Sequence, residues 1–290
     1  MKAVIYYISL PFIYLVSVLP FPLLYLLSDL FYLLMFHVLG YRRKVVYENL
    51  RNSFPDKTEK EIRKIEKDFY HYLCDLFLET FKTLTASPKT MLKHCVATNE
   101  ANAIFDGLAH RNQSSIIAMG HYGNWEWGGN TFSLTCKQQL YVIYHPLANP
   151  YFNNLIIQMR KRFGTDLIPM KETYKEMYAK KDELFTTAFI ADQTPSPEKA
   201  YWTTFLNQDT AVFQGMEKIS KKMNLPGVYI SIKIKSRGYY MVDAKMLFEN
   251  PVDAKENEIL DAFNRELEKD IRNQPEIWIW SHRRWKHKRN

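Results

Sequence analysis

Between Ala3 and Tyr41 the chain carries a single Asp, Glu, Lys or Arg, namely Asp29. An uncharged run of this kind favours a membrane segment over a buried core helix pair of a soluble protein, because a core helix uses roughly 10 to 14 apolar residues and a bilayer span roughly 17 to 25. Two apolar stretches meet at Pro20-Phe21-Pro22, where the rings force a bend. The first, Val4 to Leu19, holds about 16 residues and is short for a span. The run to Leu39 therefore fits one kinked span, a shallow hairpin or a partly embedded helix pair. Ser17 to Pro22 offers no small-x-small cleavage site, so the segment is expected to be retained. Tyr41-Arg42-Arg43-Lys44 follows directly, a cationic cluster of the sort favoured on the cytoplasmic side. Arg42 and Arg43 are thus candidate headgroup contacts. Residues 1–40 read as an anchor and 41–290 as one further domain.

Thr58 to Glu61 fits a capping box, and Ile62, Ile65, Phe69, Leu73 and Leu76 recur at helical steps after it. Past Pro88 short apolar runs alternate with helical stretches. Ser115 to Gly120, Leu140 to His145, Asp166 to Pro169, Phe185 to Asp192, Val228 to Ile234 and Tyr239 to Val242 read as strands. Asn153 to Phe163, Thr173 to Lys181, Thr210 to Met223 and Glu256 to Asn273 read as helices. This alternation predicts an α/β fold, a layered mixed sheet flanked by helices. The last strand pair, joined around Ser236-Arg237-Gly238, should be antiparallel.

The net charge of +8 and pI near 9.1 call for anionic partners, either nucleic acid, anionic lipid or a phosphorylated substrate. The apolar N-terminus favours a membrane surface, and no nucleic-acid motif accompanies the basic tail, so no nucleic-acid partner is expected. Cys74, Cys95 and Cys136 are too few and too irregular for a disulfide framework or a zinc site.

The most informative stretch is Gly120-His121-Tyr122-Gly123-Asn124-Trp125-Glu126. His121 sits at the end of an apolar strand, the usual ligand edge of an α/β sheet, and Asn124 is placed to cap the next helix. On one regular helix, five residues would set His121 and Glu126 about 140° apart. A turn between them, eased by the two glycines, lets them meet. A histidine can take a proton from a hydroxyl while a carboxylate on its other nitrogen holds the tautomer. Trp125 and Trp127 are suited to lining an apolar channel. There is no G-x-S-x-G elbow, H-E-x-x-H pair, Walker loop or dinucleotide fingerprint, so neither a covalent serine intermediate nor a metal or other cofactor is expected.

The same block, Gly-His-Tyr-Gly-Asn-Trp-Glu, resembles the catalytic block of the bacterial lipid A biosynthesis acyltransferases, within the lysophospholipid acyltransferase superfamily and its H-x-x-x-x-D/E motif. Arg42 to Pro55, Tyr144 to Pro150, Ala191-Asp192-Gln193 and Trp280 to Lys286 are similar to further blocks of that family. The resemblance implies a glycerolipid acyltransferase-like fold, with His121 as base and Glu126 as its partner. It also implies acyl carrier protein as donor and a lipid A precursor as acceptor, at the cytoplasmic face of the bacterial inner membrane. A lysophospholipid or an aminolipid is the alternative acceptor, and a non-catalytic lipid-binding relative the alternative function. The chain departs from the resemblance at His145, where arginine is usual, at Thr194-Pro195-Ser196-Pro197 and at Asn207.

Further candidates surround this block. Asn124, Trp125 and His145 are expected near substrate. Arg160 and Arg162 either bind an acceptor phosphate or the phosphopantetheine arm, or end a helix where cations are favoured anyway. Asp192 and Gln193 close a strand, where Asp192 either meets an acceptor hydroxyl, buttresses the loop or caps a turn. Arg283 and Arg284, between Trp280 and Trp285, suit a headgroup surface.

Overall fold

In the computed structural model, which describes residues 2–289, the uncharged run folds as two helices, α1 (Lys2–Val18) and α2 (Phe21–Leu33), the second prolonged by a π-helical turn, Leu34–Val38. Pro20 caps the break between them, and Pro22 lies in the first turn of α2. Next come α3 (Arg43–Ser53) and α4 (Glu59–Lys82), the latter opened by the capping box in which Thr58 N–H donates to Glu61 Oε2 at 2.8 Å. The remaining chain runs α5 (Pro88–His94), β1 (Cys95–Ala97), α6 (Asn99–His110), β2 (Ser115–Met119), α7 (Trp125–Thr135), β3 (Gln139–Tyr144), α8 (Pro150–Lys161) and β4 (Asp166–Pro169). It continues through α9 (Thr173–Ala179), β5 (Phe185–Ile190), β6 (Ala200–Phe205), β7 (Gln208–Phe213), α10 (Gly215–Met223), β8 (Gly227–Ser236), β9 (Tyr239–Phe248) and α11 (Glu258–Asn273).

Seven strands form one sheet in the order β1-β9-β8-β2-β5-β3-β4. All neighbours are parallel except β8 and β9, which form the antiparallel pair turning at Arg237-Gly238. Strand β2, buried at all five residues, lies in the middle. From β2 the chain leaves for β3 and β4 on one side and returns later to β8 and β9 on the other. Its C-terminal end is therefore a point where the winding reverses, the place where α/β sheets open a ligand crevice.

Period-two alternation sends Ile116 and Ala118 into one core and Ile117 and Met119 into the other. One core packs α5, α6 and α7 on the sheet through Met91, Phe105, Leu108, Trp127 and Phe132. The other packs α4, α10 and α11, with Phe69, Met216, Phe263 and Leu267, on the opposite face.

The expectation of a helix from Thr210 to Met223 is wrong in its first third. Thr210 to Val212 pair with Trp202, Thr203 and Tyr201 in the β6–β7 hairpin, and the helix begins at Gly215. The hairpin turns on Leu206 and Asn207, both at positive φ, a geometry set by Leu206 N–H donating to Glu268 and Asn207 donating to Ser53 O. Those partners lie outside the local sequence. The short strand β1 and strand β6 were likewise not expected.

Helices α1 and α2 are not detached from the rest. Lys82 donates through Nζ to the Ser17 and Leu19 carbonyls, Tyr25 hydroxyl donates to Glu79, and Ile13 packs on Leu155 and Met159 of α8. Their other side is bare: Val4, Ile8, Leu15, Leu26, Leu30 and Leu34 are exposed.

Candidate active site

Strand β2 ends at Met119, and the next five residues turn sharply before α7. Gly123 stands at φ +64°, and a Cβ there would lie 2.0 Å from the Ile232 carbonyl oxygen, so only glycine fits. At Gly120 a Cβ would meet Leu267 at 2.7 Å and Asp192 Oδ2 at 3.1 Å. The turn is stitched to distant segments: Gly123 N–H donates to Ile277 O at 3.0 Å, Tyr72 hydroxyl to Gly123 O at 2.7 Å, and Tyr122 hydroxyl to Asp270 O at 2.8 Å. His121 is thereby held at the sheet edge.

Its partner is Asp192. The Nδ1 atom lies 2.6 Å from Asp192 Oδ1, and the His121 backbone N–H donates to Oδ2 at 2.8 Å. Trp278 Nε1 donates to the same Oδ2 at 2.8 Å. Burial alone would push the Asp192 carboxyl up, but the charge of His121 and these hydrogen bonds draw it down to about 2. An ionised carboxylate accepts only, so Nδ1 carries the proton and Nε2 is the basic nitrogen. Gln193 Nε2 faces that nitrogen at 3.4 Å, and the Trp125 ring stands edge-on to the imidazole at 4.9 Å.

This corrects the expectation for Glu126. Its carboxylate, carried on the first turn of α7, turns to α8 and takes a two-pronged pair from Arg160, with Nε at 2.9 Å and Nη2 at 2.5 Å. Burial pushes the Glu126 carboxyl up, and the guanidinium more than offsets it, holding the group below the usual carboxylate range. His121 also contributes to that lowering, so Glu126 stays within electrostatic reach of the ring without bonding to it.

Glu126, Arg160 and Trp125 line a narrow apolar cleft between α7 and the sheet together with Met119, Phe132, Leu140 and Ile232, with room for about 50 Å³ of solvent. His121, Trp125, Glu126, Arg160, Asp192 and Gln193 are thus one constellation.

Three other expectations are corrected. Asn124 is fully buried with its amide engaged inside the protein: its Oδ1 accepts from Trp127 N–H and its Nδ2 donates to Glu79, so it caps α7. Arg162 donates to the Thr83 and Ala86 carbonyls and ends α4 rather than facing His121. Arg284 is 2% exposed and donates to the Ala211 carbonyl at 2.7 Å, which removes it from any headgroup surface, and Trp280 beside it is buried. Arg42, which is exposed, donates to Ser281 O in the C-terminal segment, and half-buried Arg43 donates to Glu66 of α4. His145 is exposed beyond β3, its Nδ1 3.0 Å from Pro146 O, and Arg283 is exposed.

Reading the sequence missed Trp278 and His282. His282 contacts Thr194 at 3.3 Å, and burial pulls its imidazole down to about 4, keeping it neutral beside His121 and Asp192. The tryptophan-rich C-terminal segment was the signal, read as interfacial when its rings are core. Glu79 was also missed. It is buried and accepts from Tyr25, Tyr240 and Asn124.

Against known proteins, the family model described as "Bacterial lipid A biosynthesis acyltransferase" matches residues 1–287. No curated protein matches the chain.

Proposed function

The chain belongs to the bacterial lipid A biosynthesis acyltransferase family, and on that premise we propose that it moves a fatty acyl group from an acyl carrier protein thioester to a hydroxyl of a lipid A precursor, with His121 as general base. The observation that carries the reading is the 2.6 Å bond from His121 Nδ1 to Asp192, which leaves Nε2 as the acceptor beside the cleft. The acceptor oxygen attacks the thioester carbonyl carbon as its proton passes to Nε2. The tetrahedral adduct then collapses, the C–S bond breaks, and the imidazolium returns the proton to the leaving thiolate. No covalent enzyme intermediate is required.

Asp192 fixes the tautomer and stabilises the imidazolium. Arg160, anchored by Glu126, keeps N–H groups available to the thioester oxygen or to a phosphate, and the cleft under α7 takes the donor's acyl chain. Helices α1 and α2 lie in the bilayer surface through their bare apolar side, on the cytoplasmic face of the inner membrane where acyl carrier protein is met. Their length and composition support this reading, since Phe21–Val38 is apolar enough for membrane contact and only 22% buried.

The test is acyl transfer from labelled acyl carrier protein by the wild type and His121→Ala, together with lipid analysis of membranes with and without the gene. Loss of one acyl chain from lipid A, and no transfer by the variant, is expected. Unchanged lipid A with an acyl group missing from another lipid would keep the chemistry and replace the acceptor.

A further inference from the structure

The sheet edge bearing His121 has apolar space on both faces. On the face opposite the cleft under α7, a second cleft lies where β3, β4 and β5 end against α10, lined by Ile143, Met170, Phe189, Ala191, Met216 and Ile219. It has room for about 180 Å³ of solvent, against about 50 Å³ in the first, so it is the roomier of the two. The alternation of the strands generates the pair: Val142 and Ala188 face the first cleft, and Ile143 and Phe189 the second. Ala191 in its wall is the chain neighbour of Asp192, which puts this cleft beside the residue that holds the base.

The reaction brings two lipids to one nitrogen. The donor delivers one acyl chain, and the acceptor, itself a lipid, arrives with chains of its own. We infer that the second cleft seats an acyl chain already borne by the lipid acceptor, with the acceptor's polar head across the edge at His121. This rests on the proposed function. The charge around the cleft fits an anionic headgroup: Lys171 and Lys222 are exposed beside it, Lys222 lies over the Tyr174 ring at 4.0 Å, and neither pairs with a carboxylate among the described residues.

Photolabelling of the full-length protein tests the assignment. One probe is a lipid A precursor with a diazirine near the end of an acyl chain, and the other is acyl carrier protein charged with a diazirine fatty acid. Acceptor label is expected in Met170–Tyr178 and Phe213–Met223, and donor label in Trp125–Phe132 and at Leu140 and Val142. As a kinetic check, Gly215→Trp narrows the cleft from its rim, where a Cβ meets nothing within 4 Å. It should raise the acceptor KM on the order of tenfold and leave the donor KM unchanged. Acceptor label confined to α7 or to α1 and α2, donor label in the second cleft, or an unchanged acceptor KM in the variant each overturns the proposal. Absence of transfer to the lipid A precursor by the unmodified protein overturns the function beneath it as well, and is told apart by the wild-type assay alone.

Discussion

His121 has two acids within reach, and geometry separates their work. Asp192 accepts from Nδ1 and from the backbone of the same residue, so replacing it with asparagine keeps the shape while losing the charge and inviting the wrong tautomer. Asp192→Asn is expected to lower kcat by roughly a thousandfold with the fold intact, as measured by acyl transfer beside circular dichroism. Glu126 instead bonds Arg160. Glu126→Gln and Arg160→Ala should each impair transfer by a smaller factor, and the double variant should be little worse than either, because both remove one ion pair. A double variant equal to the product of the singles would show two separate roles.

The turn between β2 and α7 and the helix α4 behind it form the next level of control. Gly123→Ala places a Cβ against the Ile232 carbonyl at positive φ and should cost at least about 2 kcal/mol in denaturant unfolding. On α4, burial pushes the Glu79 carboxyl up to about 7, although three donors pull the other way. An acid whose pKa is raised on folding binds more protons in the native state than in the unfolded one between the ordinary carboxylate value and about 7. Its contribution to stability is greatest below that window and is lost as pH rises through it. Glu79→Gln removes this slope, so the gap in melting temperature between wild type and variant should shrink from about pH 5 to about pH 8. A gap that stays constant would mean that folding does not raise the Glu79 carboxyl into this window. Since Tyr25 of α2 and Asn124 of the turn before α7 share this carboxylate, the N-terminal apolar helices and the candidate site are joined through one buried group.

The assembled chain is a layered sheet domain carrying a helix pair, packed on it along one side and bare along the other. Outward leucines of α2 contribute roughly 1.5 to 3 kcal/mol each if buried in lipid. Leu26→Glu with Leu30→Glu should therefore lower vesicle partitioning by at least about a hundredfold, read by sedimentation, with the melting temperature unchanged because neither side chain packs inside. Partitioning that survives this change would move the membrane contact elsewhere on the surface.

Local pattern was enough for what local forces make. The capping box at Thr58 and Glu61, the apolar run of β2 with His121 at its end, and the uncharged N-terminal helices broken at Pro20 and Pro22 are all written in neighbouring residues. The strand at Thr210 to Val212 was not, because its pairing and its turn depend on Ser53 and Glu268. The partner of His121 belongs to the same class. Glu126 is five residues away in sequence, but α7 carries it toward Arg160. Asp192 is 71 residues away and meets the ring because β2 and β5 run parallel with Met119 opposite Ile190, so that the residues two beyond each also stand opposite. Sequence by itself determined that a histidine would stand at a strand end beside an apolar channel. The sheet register, a long-range choice made by packing both cores at once, decided which carboxylate serves it.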